Sequence, residues 1–317
     1  MSSTPVPGRG VSATDAASSA VDLVKRRLFP FQFDRWIALG FLSFLDQCGR
    51  SGGGGSFRVP GGGGGSPGGG GGGGPDLSGV SDWIGGHLAL ILGVTVVVLV
   101  LVVAVTALVL WLNSRGVFMY LDAVASGRSD VARPWSEHRS HASSYFAWSF
   151  GVSLAGIAGA LLLAVPALWA LFRLLTRGPG AAAIVALVAS VLVFVLLALA
   201  LGLFSLLLRD FAAPLQLGLG IPCGQALARA WGLAKGNVGG FVAYVALKVV
   251  FAIGAAVTVM LAGCLTCCLG FLPVICQTLL QPLFYFERAW SLFLLRQAGH
   301  DLFPAPGALP GWGRGGP

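Results

Sequence analysis

Cys264, Cys267 and Cys268 form the tightest cluster of reactive side chains in the chain, spaced Cys-x2-Cys-Cys. Three readings stand for them. They serve as small apolar residues where helices meet, as a disulfide, with Cys48 as a candidate partner, in an oxidising compartment, or as thiolate ligands of a metal. A metal wants a fourth ligand, and His87 is the histidine expected on that side. Glu137-His138-x2-His141 sets two imidazoles close enough on a helix to share a ligand, but a third ligand is not in view, so a solvated loop is the plainer reading. Lys248 stands inside an apolar run, where a central lysine costs roughly 2.5–3.5 kcal/mol on insertion scales. Either its stem snorkels to the near surface, about 11 Å away at 1.5 Å per residue, or its ammonium meets a buried partner or substrate. No acid is evident deep in another run to receive it. Arg209-Asp210 and Glu287-Arg288 occupy matching places at the ends of two apolar runs. Each pair would neutralise itself at the membrane interface, or the two would bridge to one another.

Other chemistries lack their residues. No Asp/Glu/His relay of the kind proton-coupled transporters need lies within the apolar runs, and no Ser-His pairing lies at membrane depth. Ser51–Gly74 holds 16 glycines in 24 residues, but without a preceding strand or a Gly-Lys-Ser/Thr ending it is a flexible linker and not a phosphate loop. No enzyme activity, cofactor or metal is expected.

The elements that must position these residues are membrane helices. Leu88–Leu112 is 25 residues without a charge, with Thr95 and Thr106 its only polar side chains, and about 20 apolar residues cross a bilayer. Trp83 just before it, Trp111 at its end and Tyr120 following it suit interfacial positions. The chain is 56% hydrophobic and 10% charged, with mean hydropathy +0.83, where soluble domains carry about 25% charged residues. The net charge of +8 is spread over short loops, the densest run being Lys25-Arg26-Arg27, so it sets topology and does not bind nucleic acid.

The fold class expected is an all-α integral membrane protein of about six spans, near 31–48, 86–112, 145–172, 181–208, 241–263 and 265–286. Residues 16–299 form one membrane domain, with disordered tails over 1–15 and 300–317. The first span is the weakest, because Trp36–Leu45 is only ten purely apolar residues. Charge decides for it. If it crosses, fifteen Lys and Arg fall on one side against four (Arg50, Arg58, Arg173, Arg177); if it does not, the split is nine to ten. The positive-inside rule then places both termini in the cytoplasm and the Gly-rich insert 51–74 outside. Ala16–Leu28 reads as an interfacial amphipathic helix with Val21, Val24 and Leu28 on its apolar face; Arg115–Gly127, Ala226–Lys235 and Glu287–Gly299 are also amphipathic.

Val21-x3-Lys25-x5-Phe31, Trp135-x3-Arg139-x5-Tyr145 and Trp231-x3-Lys235-x5-Phe241 share a spacing ahead of spans one, three and five. They suggest a threefold repeat of one interfacial helix and two spans. LFPFQFDRWIALGFLSFL, GVFMYLDAVASG, RDFAAPLQL and CLTCC…QPLFYFERAWSLFLLRQAG resemble poorly characterised bacterial polytopic membrane proteins, similar to the membrane domain fused to some glycerophosphodiester phosphodiesterases. The resemblance covers about Ala16–Gly299 and implies six helices in an inner membrane. The phosphodiesterase activity does not carry over, because no residues remain for the catalytic barrel. The expected role is a non-enzymatic scaffold or regulatory partner, whose partners are the lipid bilayer and another membrane protein or a second copy. The alternative is a transporter or lipid-handling protein, suggested by Pro166, Pro273 and Lys248 within spans.

Overall fold

A computed structural model describes residues 11–29, 31–48, 86–128, 132–178, 180–266, 272 and 274–303. It is all-helical, with no strand among the described residues. The helices are α1 Ala13–Leu28, α2 Phe33–Gln47, α3 Leu88–Ser126, α4 Ala132–Glu137, α5 Arg139–Arg177 and α6 Ala181–Leu207. A π turn, Leu208–Ala212, then leads into α7 Ala213–Leu219, α8 Cys223–Gly236, α9 Val238–Leu265, α10 Ile275–Leu279 and α11 Gln281–Gln297.

Four helices are long and apolar enough to cross a membrane: Ala89–Ser126, Arg139–Thr176, Ala181–Leu219 and Val238–Leu265. These contain the second to fifth expected spans. The first and sixth differ. α2 has 15 residues, about 22 Å of helix, short of a 30 Å hydrocarbon core. The run 265–286 is not one helix: α9 ends at Leu265, α10 has five residues, and α11 begins at Gln281 with a proline in its first turn. Pro282 lacks an N–H to continue the preceding turn and its fixed φ suits a helix start. The Gly-rich insert, the outer parts of both tails, and Cys267 and Cys268 lie outside the described residues.

The chain divides into two compact units. One comprises Phe57–Leu108 and Phe150–Leu203. Its described helices expose Val97, Leu162, Val185 and Leu199 over most of their length, the surface a lipid solvent requires. α5 and α6 approach each other at small residues: a Cβ on Gly159 would strike Leu197, and one on Gly156 would touch Leu201. Near the end of α5, Arg173 lies 5.1 Å from the centre of the Trp169 ring, as an aromatic belt residue and its headgroup cation do.

The other unit comprises Met1–Ser56, Val109–Ser149 and Phe204–Pro317, and it holds the core. α1 lies on α11 through Ala16, Ala20, Val24 and Leu28, all buried, while Val21 is exposed. The expected apolar face was therefore drawn too far round the helix. Alanines spaced every four residues let α1 approach another helix closely, so its stripe meets protein and not the headgroup layer. Trp290 donates its indole N–H to Ala13 O at 2.8 Å, and Ser12 caps the helix, so order begins before residue 16. At the other end Leu302 is buried and Phe303 stacks on Phe293, so residues 300–303 pack on the core as well. The expected interfacial continuation after Leu112 is the second half of α3 itself, and Val117, Phe118, Tyr120 and Leu121 on it are fully buried.

Candidate functional site

Six ionisable side chains meet inside the second unit: Asp46, Arg209, Asp210, Lys248, Glu287 and Arg288. Three are acids and three are bases. They come from the C-terminal turn of α2, the π turn, α9 and α11. Asp46 is the hub. Its carboxylate receives Arg209 Nη2 on one oxygen and Arg288 Nη2 on the other, both at 2.5 Å, and its side chain is fully buried. Arg209 reaches on to Glu287 at 3.1 Å. Lys248 pairs directly with Asp210 and lies 3.4 Å from Glu287. Tyr244, one turn before Lys248 on α9, donates to Asp210 Oδ2 at 2.9 Å. A shell of neutral polar groups continues the network: Ser43 donates to Gln281 Oε1 (3.3 Å), and Gln281 Nε2 to Tyr120 Oη (3.0 Å).

Local sequence explains how adjacent residues serve one site. Arg209 and Asp210 would diverge by about 100° on a regular α-helix. Here Ala213 N–H bonds to Leu208 O, five residues back, which widens the turn. Pro214 accounts for its position, since a proline ring clashes with the carbonyl four residues earlier, which is that of Asp210. Asn113 on α3 donates to the carbonyls of Leu45 (3.1 Å) and Asp46 (2.6 Å), satisfying orphan acceptors at the end of α2. Gly116, one turn along, leaves no room for a Cβ against Leu45 and Asp46. Three glycines with left-handed backbone, Gly127, Gly220 and Gly299, end the segments that surround Asp46. Gly116, Arg209 and Arg288 stand at one spacing before them.

A family model described as a family of unknown function, DUF7544, matches residues 11–299. The chain belongs to this family. Neither a curated protein sequence nor a solved structure matches it. The DUF7544 assignment agrees with a poorly characterised family and brings no link to glycerophosphodiester phosphodiesterases.

The residues singled out in the DUF7544 chain fare differently. Arg209, Asp210, Glu287, Arg288 and Lys248 converge. Arg209 and Asp210 stand 3.9 Å apart, and each makes a closer contact elsewhere. Lys248 does not snorkel: its side chain is 5% exposed, and the missing deep acid is Asp210, carried inward by the π turn. Asp46 was missed as a site residue, although it is a lone carboxylate ending an apolar run. Cys264 is exposed at the end of α9, and its thiol and that of Cys48 are free. His138 is buried at the turn between α4 and α5, and the centre of the His141 ring lies 6.1 Å from that of Phe118. Among the described residues no three His, Cys, Asp or Glu side chains come together as metal ligands.

Every carboxylate of the cluster is engaged, while Arg209 Nε and Arg288 Nε are buried without a hydrogen-bond partner. The cluster's charges sum to zero, and each acid already faces a cation. Burial of an ion pair is tolerated only with such mutual satisfaction, and removal of one member costs about 3–5 kcal/mol.

Proposed function

We propose that this protein is a non-enzymatic scaffold or regulatory partner in a bacterial inner membrane, with both termini cytoplasmic. The observation that carries this reading is the closed, charge-balanced cluster around Asp46. A substrate path or catalytic centre needs an accessible polar group, whereas these six side chains fasten four separate segments to one another. The exposed faces of α1 (Asp22, Lys25, Arg26) and α8 (Arg229, Trp231, Lys235) remain for a partner. Photocrosslinking from these faces in native membranes should capture a defined partner protein, and replacing these six residues by alanine should abolish capture. The same partner recovered from the alanine variant would refute the reading.

Topology is part of this proposal. α1 and α2 lie at the C-terminal end of α3, where Arg27 donates to Ser126 O and Arg35 to Gly127 O, both at 3.0 Å. Six crossings put fifteen Lys and Arg on one side against four, the asymmetry that the positive-inside rule favours. α1 and α11 are in contact, which favours both termini on one side, and the excess of Lys and Arg makes that side cytoplasmic. The common spacing of Gly116, Arg209 and Arg288 about Asp46 supports the threefold repeat. Labelling of cysteines placed in the Gly tract by an impermeant reagent on intact cells tests the topology; protection of that tract would overturn it.

A transporter is the second reading, favoured by the π turn, since such turns recur at functional sites. It requires that the Lys248–Asp210 pair separate during a transport cycle.

A further inference from the structure

A second cationic group lies apart from the Asp46 cluster, and its surroundings fit a ligand. Arg27 and Arg35 converge on the last carbonyls of α3, and Arg128 follows directly in the chain. Gly127 makes this convergence possible: its φ is +77°, and the Arg27 guanidinium occupies the space a Cβ would take. A helix C-terminus carries roughly half a negative charge, so two guanidinium groups more than neutralise it. Over residues 22–35 and 117–128, Lys25, Arg26, Arg27, Arg35 and Arg128 stand against Asp22, Asp34 and Asp122, an excess of two positive charges. Each capping arginine donates a hydrogen bond to a carbonyl, and Arg35 Nε is buried without a hydrogen-bond partner.

Beside these cations the turn from α1 to α2 exposes three phenylalanines. Phe29, Phe31 and Phe33 are 54%, 56% and 63% exposed, and the first two lean on the Trp36 ring at 6.3 and 4.8 Å. Ile37 and Phe41 continue the exposed stripe along α2. A row of apolar side chains leading to three arginines matches the profile of a lipid leaflet, acyl chain to phosphate. Arginine forks pair with phosphate oxygens in two-point contacts that lysine does not reproduce.

We propose that Arg27, Arg35 and Arg128 bind the phosphate headgroup of an anionic phospholipid whose acyl chains lie along Phe31, Phe33, Ile37 and Phe41. The inference rests on the membrane reading above but not on the existence of a protein partner.

The test is native mass spectrometry of the full-length protein released from nanodiscs of phosphatidylglycerol and phosphatidylcholine, with retained lipid counted. The wild type should retain phosphatidylglycerol in preference. Arg128→Gln, at an exposed position, should weaken that retention about fivefold, the value of one surface charge, and leave phosphatidylcholine unchanged. Arg27→Lys with Arg35→Lys keeps charge and caps but should also reduce it. Phe31→Ser with Phe33→Ser should reduce retention of both lipids. Equal retention of the two lipids by the wild type, or arginine variants that lose both lipids alike or neither, would overturn the proposal. Should the double lysine variant fail to fold, Arg128→Gln and the phenylalanine pair still decide. Failure here leaves partner capture from α1 and α8 untouched.

Discussion

Two stretches of one helix, α3, have opposite surroundings: the uncharged one faces outward, and the one that carries Asn113, Arg115 and Asp122 is enclosed. Before Leu108, side chains such as Val97 and Leu101 face outward; beyond Val109, Val117, Phe118 and Leu121 are enclosed. The same contrast holds between the two units. The unit of exposed helices carries almost no ionisable groups among its described residues, whereas the one with the core contains six buried charges and their polar shell. Lipid accounts for the inversion. Apolar side chains gain little by leaving a hydrocarbon solvent, so apolarity does not specify which helix meets which. Close approach at glycine and complementary polar groups do. In this chain the polar residues mark the inside.

The sharpest way to break this comparison is at its hub. Asp46→Ala leaves Arg288 buried without its carboxylate and Arg209 with Glu287 as its nearest acid, and should cost about 3–5 kcal/mol. Thermal unfolding in detergent, or loss of the monodisperse peak in size exclusion, reads the effect. Leu162→Ala in the exposed unit should change stability by about 0.5 kcal/mol or less, since its side chain is 74% exposed. A comparable loss at both positions would mean that the polar cluster has no special weight.

Glycines sharpen it next. Gly116→Val drives a branched side chain into the backbone of Leu45 and Asp46, and overpacking of this kind costs about 1–3 kcal/mol. Gly151 has nothing near its would-be Cβ, so Gly151→Ala should be neutral or stabilise by up to about 1 kcal/mol through helix propensity. Both are measured by the same melting curves, and destabilisation by both would argue that the two units are packed alike.

How far the fold could be read from residues follows from this physics. Long apolar runs mark α3, α5, α6 and α9 because length and apolarity are local properties. α2, α10 and α11 resist such reading: each is short, and each is held by contacts distant in sequence, such as Thr278 of α10 filling the space beside Gly40 of α2. Arg209, Asp210, Glu287 and Arg288 stand out as charges at apolar ends, and the bridge from one pair to the other exists as Arg209–Glu287, but Asp46 as the shared partner does not stand out, since pairing across four segments is a tertiary fact. Lys248 shows the limit well. Its acid was present in the sequence as Asp210, and only the π turn ahead of Pro214 brings the carboxylate inward. That turn had a local signal, a proline four residues beyond the aspartate.

The smallest effect concerns a titratable group outside the long spans. His138 is buried in the turn between α4 and α5, and burial lowers its pKa below the ordinary value, against a smaller opposing pull from Glu137. The folded protein therefore holds His138 neutral while the unfolded chain takes up a proton near pH 6.5. The sign follows. The group adds no pH dependence above that value, where both states are neutral. As pH falls through about 6.5 the unfolded state gains the proton first, and stability declines until the folded pKa is passed. His138→Gln should flatten this part of the melting-temperature profile between about pH 7 and 5 and leave the high-pH plateau comparable in slope. The six charges around Asp46, each already paired, provide the contrast: Asp46→Ala should lower the whole profile without changing its slope in that window. His141, whose pKa burial also lowers, contributes in the same window, so a His138→Gln/His141→Gln variant that keeps the wild-type decline would assign the acid sensitivity to that cluster and remove the distinction between a buried charge that is matched and a buried base that is merely kept neutral.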